Sequence, residues 1–331
     1  MVTGFRLSAA LAVAADLGVS DELASGPRRI ADLAESASVD QATLYRLMRA
    51  LATVGVYDEQ EDGRFALTPL GEGLRSDVPG SLRPLARTLA DPATWAAWAH
   101  LGHSVRTGDN AFEALHGVDV WTHRRSNPEQ NAIFNDNMSA LSSLVADAVA
   151  GAYDFAGLSS VVDVGGGHGV LLEAVLTQHE HLTGTVFDLP HVVARGPSRQ
   201  APRSVASRWS ATSGSFFDAV PAADCYLLKS ILHDWPDARC AEILRACRVG
   251  LQPGGVVLVV ETLLGRPGHE VDAAFSDLNM LVLPGGRERT DLEYAALFDA
   301  VGLQLTSVVP TSSRMSILEA RVRPADESAH R

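Results

Sequence analysis

The chain has 331 residues, 46% of them hydrophobic and 20% charged, with a net charge of −13. That is enough apolar material for about two ordinary domains. The acidic balance repels phosphate backbones, which argues against nucleic acid and anionic membranes as partners. No apolar run approaches the roughly 20 residues of a membrane-spanning helix. Cys225, Cys240 and Cys247 fit neither a disulfide framework nor a zinc site, and predict reduced thiols in a cytoplasmic protein.

Helical spacing of apolar residues runs through Phe5–Leu17. The single Arg6 ahead of that run and its one-sided pattern predict a helix rather than a secretory signal. A short helix is expected over Ile30–Glu35, and a longer one from the cap Ser38-Val39-Asp40 to about Val54. Val56–Glu59 and Arg64–Thr68, joined by Glu61-Asp62-Gly63, predict a hairpin. Helix, turn, helix and hairpin make a winged helix, a module that serves DNA binding or packing and dimerisation. Only Arg46 and Arg49 mark a basic face, and residues 1–100 hold 9 basic against 13 acidic residues. The expectation is therefore a mostly α dimerisation domain over 1–77.

Residues 78–157 read as helical, broken near Gly108, Gly117 and Pro128, and rich in large apolar side chains: Trp95, Trp98, Phe112, Trp121, Phe134 and Met138. Most such residues belong to a core, but their density fits an aromatic-lined acceptor region. From 158 to 322 strands alternate with helices, with strands near 160–164, 183–187, 224–229 and 255–261. This is the pattern of an α/β Rossmann-like sheet. The last two apolar runs, Leu303–Val309 and Met315–Val322, are too close for a crossover helix and predict an antiparallel C-terminal hairpin. A polar tail, 323–331, follows.

The first strand of this region, ending in Asp163-Val164, leads into Gly165-Gly166-Gly167-His168-Gly169 and then a helix. Glycines let a ligand approach the backbone, at the positive end of a helix dipole. The next strand ends in Asp188, placed to accept hydrogen bonds from ribose hydroxyls. The dinucleotide fingerprint fails here, because counting from Gly165 it needs glycine where Val170 stands. A glycine loop opened by an acid, halfway along the chain and followed by a sheet ending in a hairpin, matches S-adenosylmethionine (SAM) methyltransferases better than nicotinamide enzymes.

A second informative segment is Leu227–Asp237, with Leu232-His233-Asp234-Trp235 at its centre. It starts as a strand, and Pro236-Asp237 opens a helix. His233 is thus expected past the carboxyl edge of a parallel strand, where such sheets bind ligands.

These segments, with Phe187-Asp188-Leu189-Pro190, Gly214-Ser215-Phe216-Phe217, Pro253-Gly254-Gly255 and Gly285-Gly286-Arg287-Glu288-Arg289-Thr290, run in the order of a known family. The chain resembles the small-molecule O-methyltransferases that join a winged-helix dimerisation domain to a SAM-binding domain. Plant phenylpropanoid enzymes and bacterial enzymes that tailor aromatic polyketides are of this type. The resemblance implies SAM as cofactor, held by Asp163, Gly165, Gly167, Asp188, Leu189, Ser215, Phe216, Lys229 and Ser230. It implies His233 as general base flanked by Glu261 and Glu288, and Phe134, Met138, Asn279, Met280 and Leu283 around a small aromatic acceptor. It also implies a homodimer and no metal. The family commonly carries an acid where this chain has Ser215, a weaker partner for the adenine side. The segment before the first helix is short for the family, which implies a smaller dimer contact.

A phenol has a pKa near 10, so about one part in a thousand is ionised at pH 7. A base taking that proton during attack contributes within the usual range of about 10²–10⁴. Ordinary imidazole is mostly neutral at pH 7, and a neighbouring carboxylate orients it. The competing readings are a solvated strand end for Glu261, and a loop charge or partner of Arg287 or Arg289 for Glu288. For the whole protein they are a SAM-binding homologue that hydroxylates or decarboxylates, a DNA-binding regulator, and a nicotinamide dehydrogenase.

Overall fold

The computed structural model describes residues 2–193 and 202–323. They form two compact units, one of residues up to 99 with 121–141, the other of 100–120 with 142 onward. The stretch 78–157 is thus divided between the two. The polar tail beyond Arg323 lies outside the described residues.

In the first unit, helices Gly4–Asp16, Ile30–Ala37 and Gln41–Ala52 pack around Ala14, Leu33, Leu44, Met48, Leu51, Tyr57 and Phe65. Asp40 caps the third helix by accepting the Thr43 N–H at 2.9 Å. That satisfies one of the donors a helix start leaves open. Strands β1 (Arg28–Arg29), β2 (Tyr57–Glu59) and β3 (Arg64–Leu67) pair antiparallel in the order β1-β3-β2, a small wing around the turn at Gly63. Arg83 ties this unit together, donating to the Ala15 carbonyl at 2.8 Å and to Asp21 at 2.6 Å.

The second unit is built on β4 (Ser160–Val164), β5 (Thr183–Asp188), β6 (Trp209–Ser213), β7 (Ala223–Lys229), β8 (Leu251–Glu261), β9 (Leu303–Pro310) and β10 (Ser316–Val322). Their order is β6-β5-β4-β7-β8-β10-β9. The pairs from β6 to β8 are parallel, and β10 runs antiparallel to both β8 and β9. Successive residues of a strand face opposite sides, and the two faces bury separate cores. Val162, Val164, Leu228, Val257 and Val259 meet helices Asp237–Gly250 and Asp291–Asp299. Val161, Leu227, Val256, Leu258 and Val260 meet helix Val170–Gln178. The expected strands and the C-terminal hairpin are present. One strand is additional: β6 is short, polar (Trp-Ser-Ala-Thr-Ser) and mostly exposed at the sheet edge, so it carries no apolar run to signal it. β8 also starts at Leu251 rather than near 255, its first residues lying outside the core.

The chain leaves β4 toward β5 and β6, then returns past β4 to β7. The strand order reverses between β4 and β7, and this is where doubly wound sheets leave a crevice for ligands. The glycine loop follows β4 and the His233 turn follows β7.

Candidate active site

On the β4 side the site is made of backbone. Gly165, Gly167 and Gly169 all have positive φ, at 68°, 59° and 77°, a region that only glycine occupies without strain. The Gly165 N–H donates to the Phe187 carbonyl at 2.7 Å, and the Gly167 N–H to Asp188 Oδ2 at 2.9 Å. A side chain at Gly165 would strike Ile231 at 2.4 Å, whereas nothing lies within 4 Å of the place where a Cβ on Gly167 would project. Asp188 Oδ1 accepts the Leu189 N–H at 2.7 Å. Burial raises the Asp188 carboxyl, and those two N–H groups oppose the rise. Gly214 donates to the Asp188 carbonyl, bringing the Ser215–Phe217 loop to the same strand tip. The Ser215 hydroxyl is turned inward and accepts the Phe217 N–H at 3.2 Å.

Beneath the loop lie two charged groups. Asp163 is 2% exposed, and its Oδ2 has no hydrogen-bond partner among the described residues. Burial pushes its carboxyl up to about 7, against the pull of Lys229. Burial also lowers the Lys229 amine, which donates to the Ser230 hydroxyl at 3.3 Å. Ser230 is held at φ 54°, an unusual conformation for a non-glycine residue, where the chain leaves β7 for the histidine turn. Open space above Gly167, an acid at the tip of β5 and a buried carboxylate oxygen without a partner among the described residues fit SAM. Asp163, Gly165, Gly167, Asp188 and Lys229 are the groups available to hold it.

The β7 side is made of side chains. A short 3₁₀ turn, Leu232–Asp234, carries His233, whose side chain is 15% exposed while those of Glu261 and Glu288 are fully buried. Glu288 Oε1 accepts from the ring Nδ1 at 2.9 Å and from the Ser276 hydroxyl at 2.6 Å. Glu261, at the end of β8, accepts the backbone N–H groups of Ile231, Leu232 and His233 on Oε1, at 3.1, 3.0 and 3.4 Å. Its Oε2 lies 3.5 Å from His233 Nδ1. Neither residue is a solvated charge. Arg287 and Arg289 pair instead with Asp237, and Arg287 also with Glu293. With Nδ1–H assigned to Glu288, the lone pair of a neutral ring sits on Nε2.

Asp234, which the sequence reading passed over, brings Oδ1 to 3.6 Å from Nε2. Burial would lower the His233 pKa, but Glu261, Asp234 and Glu288 outweigh it and raise the group to about 10. These carboxylates therefore favour the protonated ring more than the surroundings of an ordinary imidazole do. Glu261 is pushed up to about 7 by burial, opposed by His233. Burial also acts to raise Glu288, but His233, the Ser276 hydroxyl and Arg289 bring it below its ordinary value. His233, Glu261 and Glu288 offer ligand atoms within 4.8 Å of one another, a spacing open to a divalent cation, although the ring nitrogen that would bind it is the one facing Glu288.

Helix Glu270–Val282 supplies Ser276 and also Asp277, which accepts the Glu288 N–H at 2.9 Å. Met280 and Leu283 are buried at the end of this helix, and Asn279 lies on it. Asn110 donates to the carbonyls of Leu281 and Leu283 at 3.0 and 3.1 Å, fixing that end. In the sequence this stretch shows only the helix break near Gly108. Phe112 is a core residue, 1% exposed. Phe134 and Met138 belong to the other unit, one turn apart on helix Pro128–Ser143, with the Arg124 guanidinium 3.5 Å from the Phe134 ring centre.

A backbone cradle for a nucleoside on one side of the switch point, and a carboxylate-held imidazole on the other, define a group-transfer enzyme of the SAM-binding α/β class. Comparison with known proteins narrows this. The family model of the O-methyltransferase dimerisation domain matches residues 1–77, and that of the O-methyltransferase domain matches 98–304. Phenazine O-methyltransferase PhzM of Lysobacter antibioticus is 40% identical over 322 residues, 97% of this chain and 94% of its own. The crystal structure of LaPhzM matches with a TM-score of 0.93 at 40% identity, covering 97% of each chain. NcsB1 from neocarzinostatin biosynthesis, crystallised with SAM and 2-hydroxy-5-methyl naphthoic acid, matches at 0.81 and 36% identity over 96% of each chain. The chain belongs to the O-methyltransferase family, and its cofactor is SAM. Among the described residues no helix is long and apolar enough to cross a membrane.

Proposed function

We propose that the enzyme methylates a phenolic hydroxyl of a small aromatic metabolite, with His233 as general base. The observation that carries this reading is the 2.9 Å contact between His233 Nδ1 and Glu288 in a partly exposed turn beside the glycine loop. SAM supplies a methyl group on a sulfonium, and the C–S bond breaks as the acceptor oxygen forms its bond to carbon. His233 Nε2 takes the phenol proton, and Glu288 and Glu261 stabilise the imidazolium that results. Raised to about 10, the imidazole is matched to a phenol of pKa near 10. The neutral fraction of the ring, the form that accepts the proton, grows with pH. Asp163, Gly165, Gly167, Asp188, Leu189, Ser215, Phe216, Lys229 and Ser230 form the cofactor set in this reading. Within the second unit, Asn279, Met280 and Leu283 are the groups offered to the acceptor in this reading.

The aromatic acceptor is supported by relatives. Besides the phenazine enzyme, a 3-amino-4-hydroxybenzoate 4-O-methyltransferase of Streptomyces cremeus is 34% identical over 326 residues. The domain matched at 1–77 supports a homodimer. Incubation with SAM and a panel of phenols, naphthols and phenazinols, read by mass spectrometry, tests the proposal. A gain of one methyl is expected, absent when the same hydroxyl is already O-methylated. Methylation only of amines or thiols would overturn it.

A further inference from the structure

Arg289 is a fully buried arginine to which the mechanism above gives no task. Its Nη1 donates to the Leu232 carbonyl at 3.0 Å and to the Arg287 carbonyl at 3.2 Å. Its Nη2 donates to the Trp235 carbonyl at 2.8 Å and to Asp237 Oδ1 at 2.7 Å, and Nε reaches the same oxygen at 3.1 Å. Leu232 and Trp235 bracket His233. One guanidinium therefore grips the turn through carbonyls on both sides of the histidine, while Glu261 Oε1 accepts the N–H groups of Ile231, Leu232 and His233. The His233 carbonyl between them accepts the Arg287 N–H at 2.9 Å.

The approach of the two segments leaves no slack. A Cβ on Gly286 would lie 2.0 Å from the His233 carbonyl oxygen. The other face of the segment is fastened as well, since the Arg289 carbonyl accepts the Leu264 N–H at 3.0 Å just beyond β8. Glu288, the partner of the ring, is thus clamped by a neighbour bonded to the backbone of the same histidine. A buried guanidinium needs partners for all its donors, and here they are two carbonyls of the histidine turn, the Arg287 carbonyl and Asp237 Oδ1. A lysine keeps the charge but lacks the planar fork that reaches several acceptors at once.

We propose that Arg289 is a positioning residue for the methyl transfer: it locks the Leu232–Asp237 turn so that the His233 ring stays aligned between Glu288 and the acceptor oxygen, with Asp237 as its outer anchor. The proposal rests on His233 being the base.

The test compares Arg289→Lys, Asp237→Asn and His233→Ala, each measured for kcat, for KM of the acceptor, for S-adenosylhomocysteine affinity by calorimetry and for the pH dependence of kcat. Arg289→Lys is expected to lower kcat about 30-fold and Asp237→Asn about fivefold, with cofactor affinity within twofold of wild type. A ring less firmly held against Glu288 loses stabilisation of its cation, so the half-maximal pH of kcat moves downward in Arg289→Lys. The downfield proton resonance of the Nδ1–H···Glu288 bond, identified by its loss in His233→Ala, is expected to shift or broaden. A folded Arg289→Lys or, if that variant does not fold, Asp237→Asn with kcat within twofold and an unmoved pH profile overturns the proposal, provided His233→Ala has lost turnover. A fall in cofactor affinity as large as the fall in kcat also overturns it, since Arg289 would then support the site as a whole. Retained turnover in His233→Ala removes the base itself, and this proposal falls with it.

Discussion

The two sides of the switch point handle their ligands by different means. After β4 the protein offers little but main chain: three glycines at positive φ, two of them bonded to the neighbouring strand end. After β7 it offers an imidazole set by carboxylates from β8, from the 285–290 segment and from Asp234 beside it. A backbone cradle recognises shape and is built from one short stretch. A base needs a defined proton affinity, and that comes only from side chains gathered from distant positions. The first side is expected to govern cofactor affinity and the second turnover.

The sharpest way to separate them is His233→Ala. Turnover should fall about 10³-fold, within the usual range for general base catalysis, with S-adenosylhomocysteine affinity unchanged in calorimetry. If both fell together, the division would fail. Gly167→Ala is the mirror experiment. A side chain at φ 59° costs about 1–2 kcal/mol and projects into open space above the loop. Cofactor affinity should drop about tenfold or more, with kcat at saturating SAM within threefold. Gly165→Ala is not equivalent, because its Cβ would reach Ile231 and disturb the histidine turn too.

Glu288→Gln tests the electrostatics of the second side. Neutral imidazole is the active form, so wild-type kcat should rise with pH toward the His233 value of about 10. Removing a carboxylate that stabilises the cation lowers that pKa. The rising limb then moves to lower pH, and the plateau drops about tenfold because the ring loses its orienting partner. A profile that stays in place would mean that Glu288 does not sense the proton. The smallest effect is expected at Ser215→Asp. Among the described residues the serine hydroxyl bonds its own loop at Phe217, and a carboxylate there should tighten cofactor binding about threefold while leaving kcat alone.

The same contrast explains what the sequence revealed. The glycine loop, Asp188 and the strand alternation were legible because each is local: a period, a turn residue or a strand end. His233 was legible as a residue past a strand tip. Its surroundings were not legible from spacing: Glu261 and Glu288 came only from the family resemblance and Ser276 not at all, since these residues lie 28 to 55 positions away and meet it only through the fold. The pKa of His233 was out of reach for that reason. So was Asp234, which sits next to the histidine but reads as an ordinary turn acid. β6 escaped because an exposed edge strand of small polar residues has no hydrophobic period. Arg289 was visible in its motif, yet nothing in a string of charges says which one turns inward.

Lys229 is the sole lysine of the chain, and it stands at the end of β7, beside the crevice proposed for the cofactor. A sample grown with isotopically labelled lysine will therefore give one side-chain signal, free of overlap in a 35.1 kDa protein. Every ligand that enters the cleft can be followed by that resonance alone, without modifying the protein.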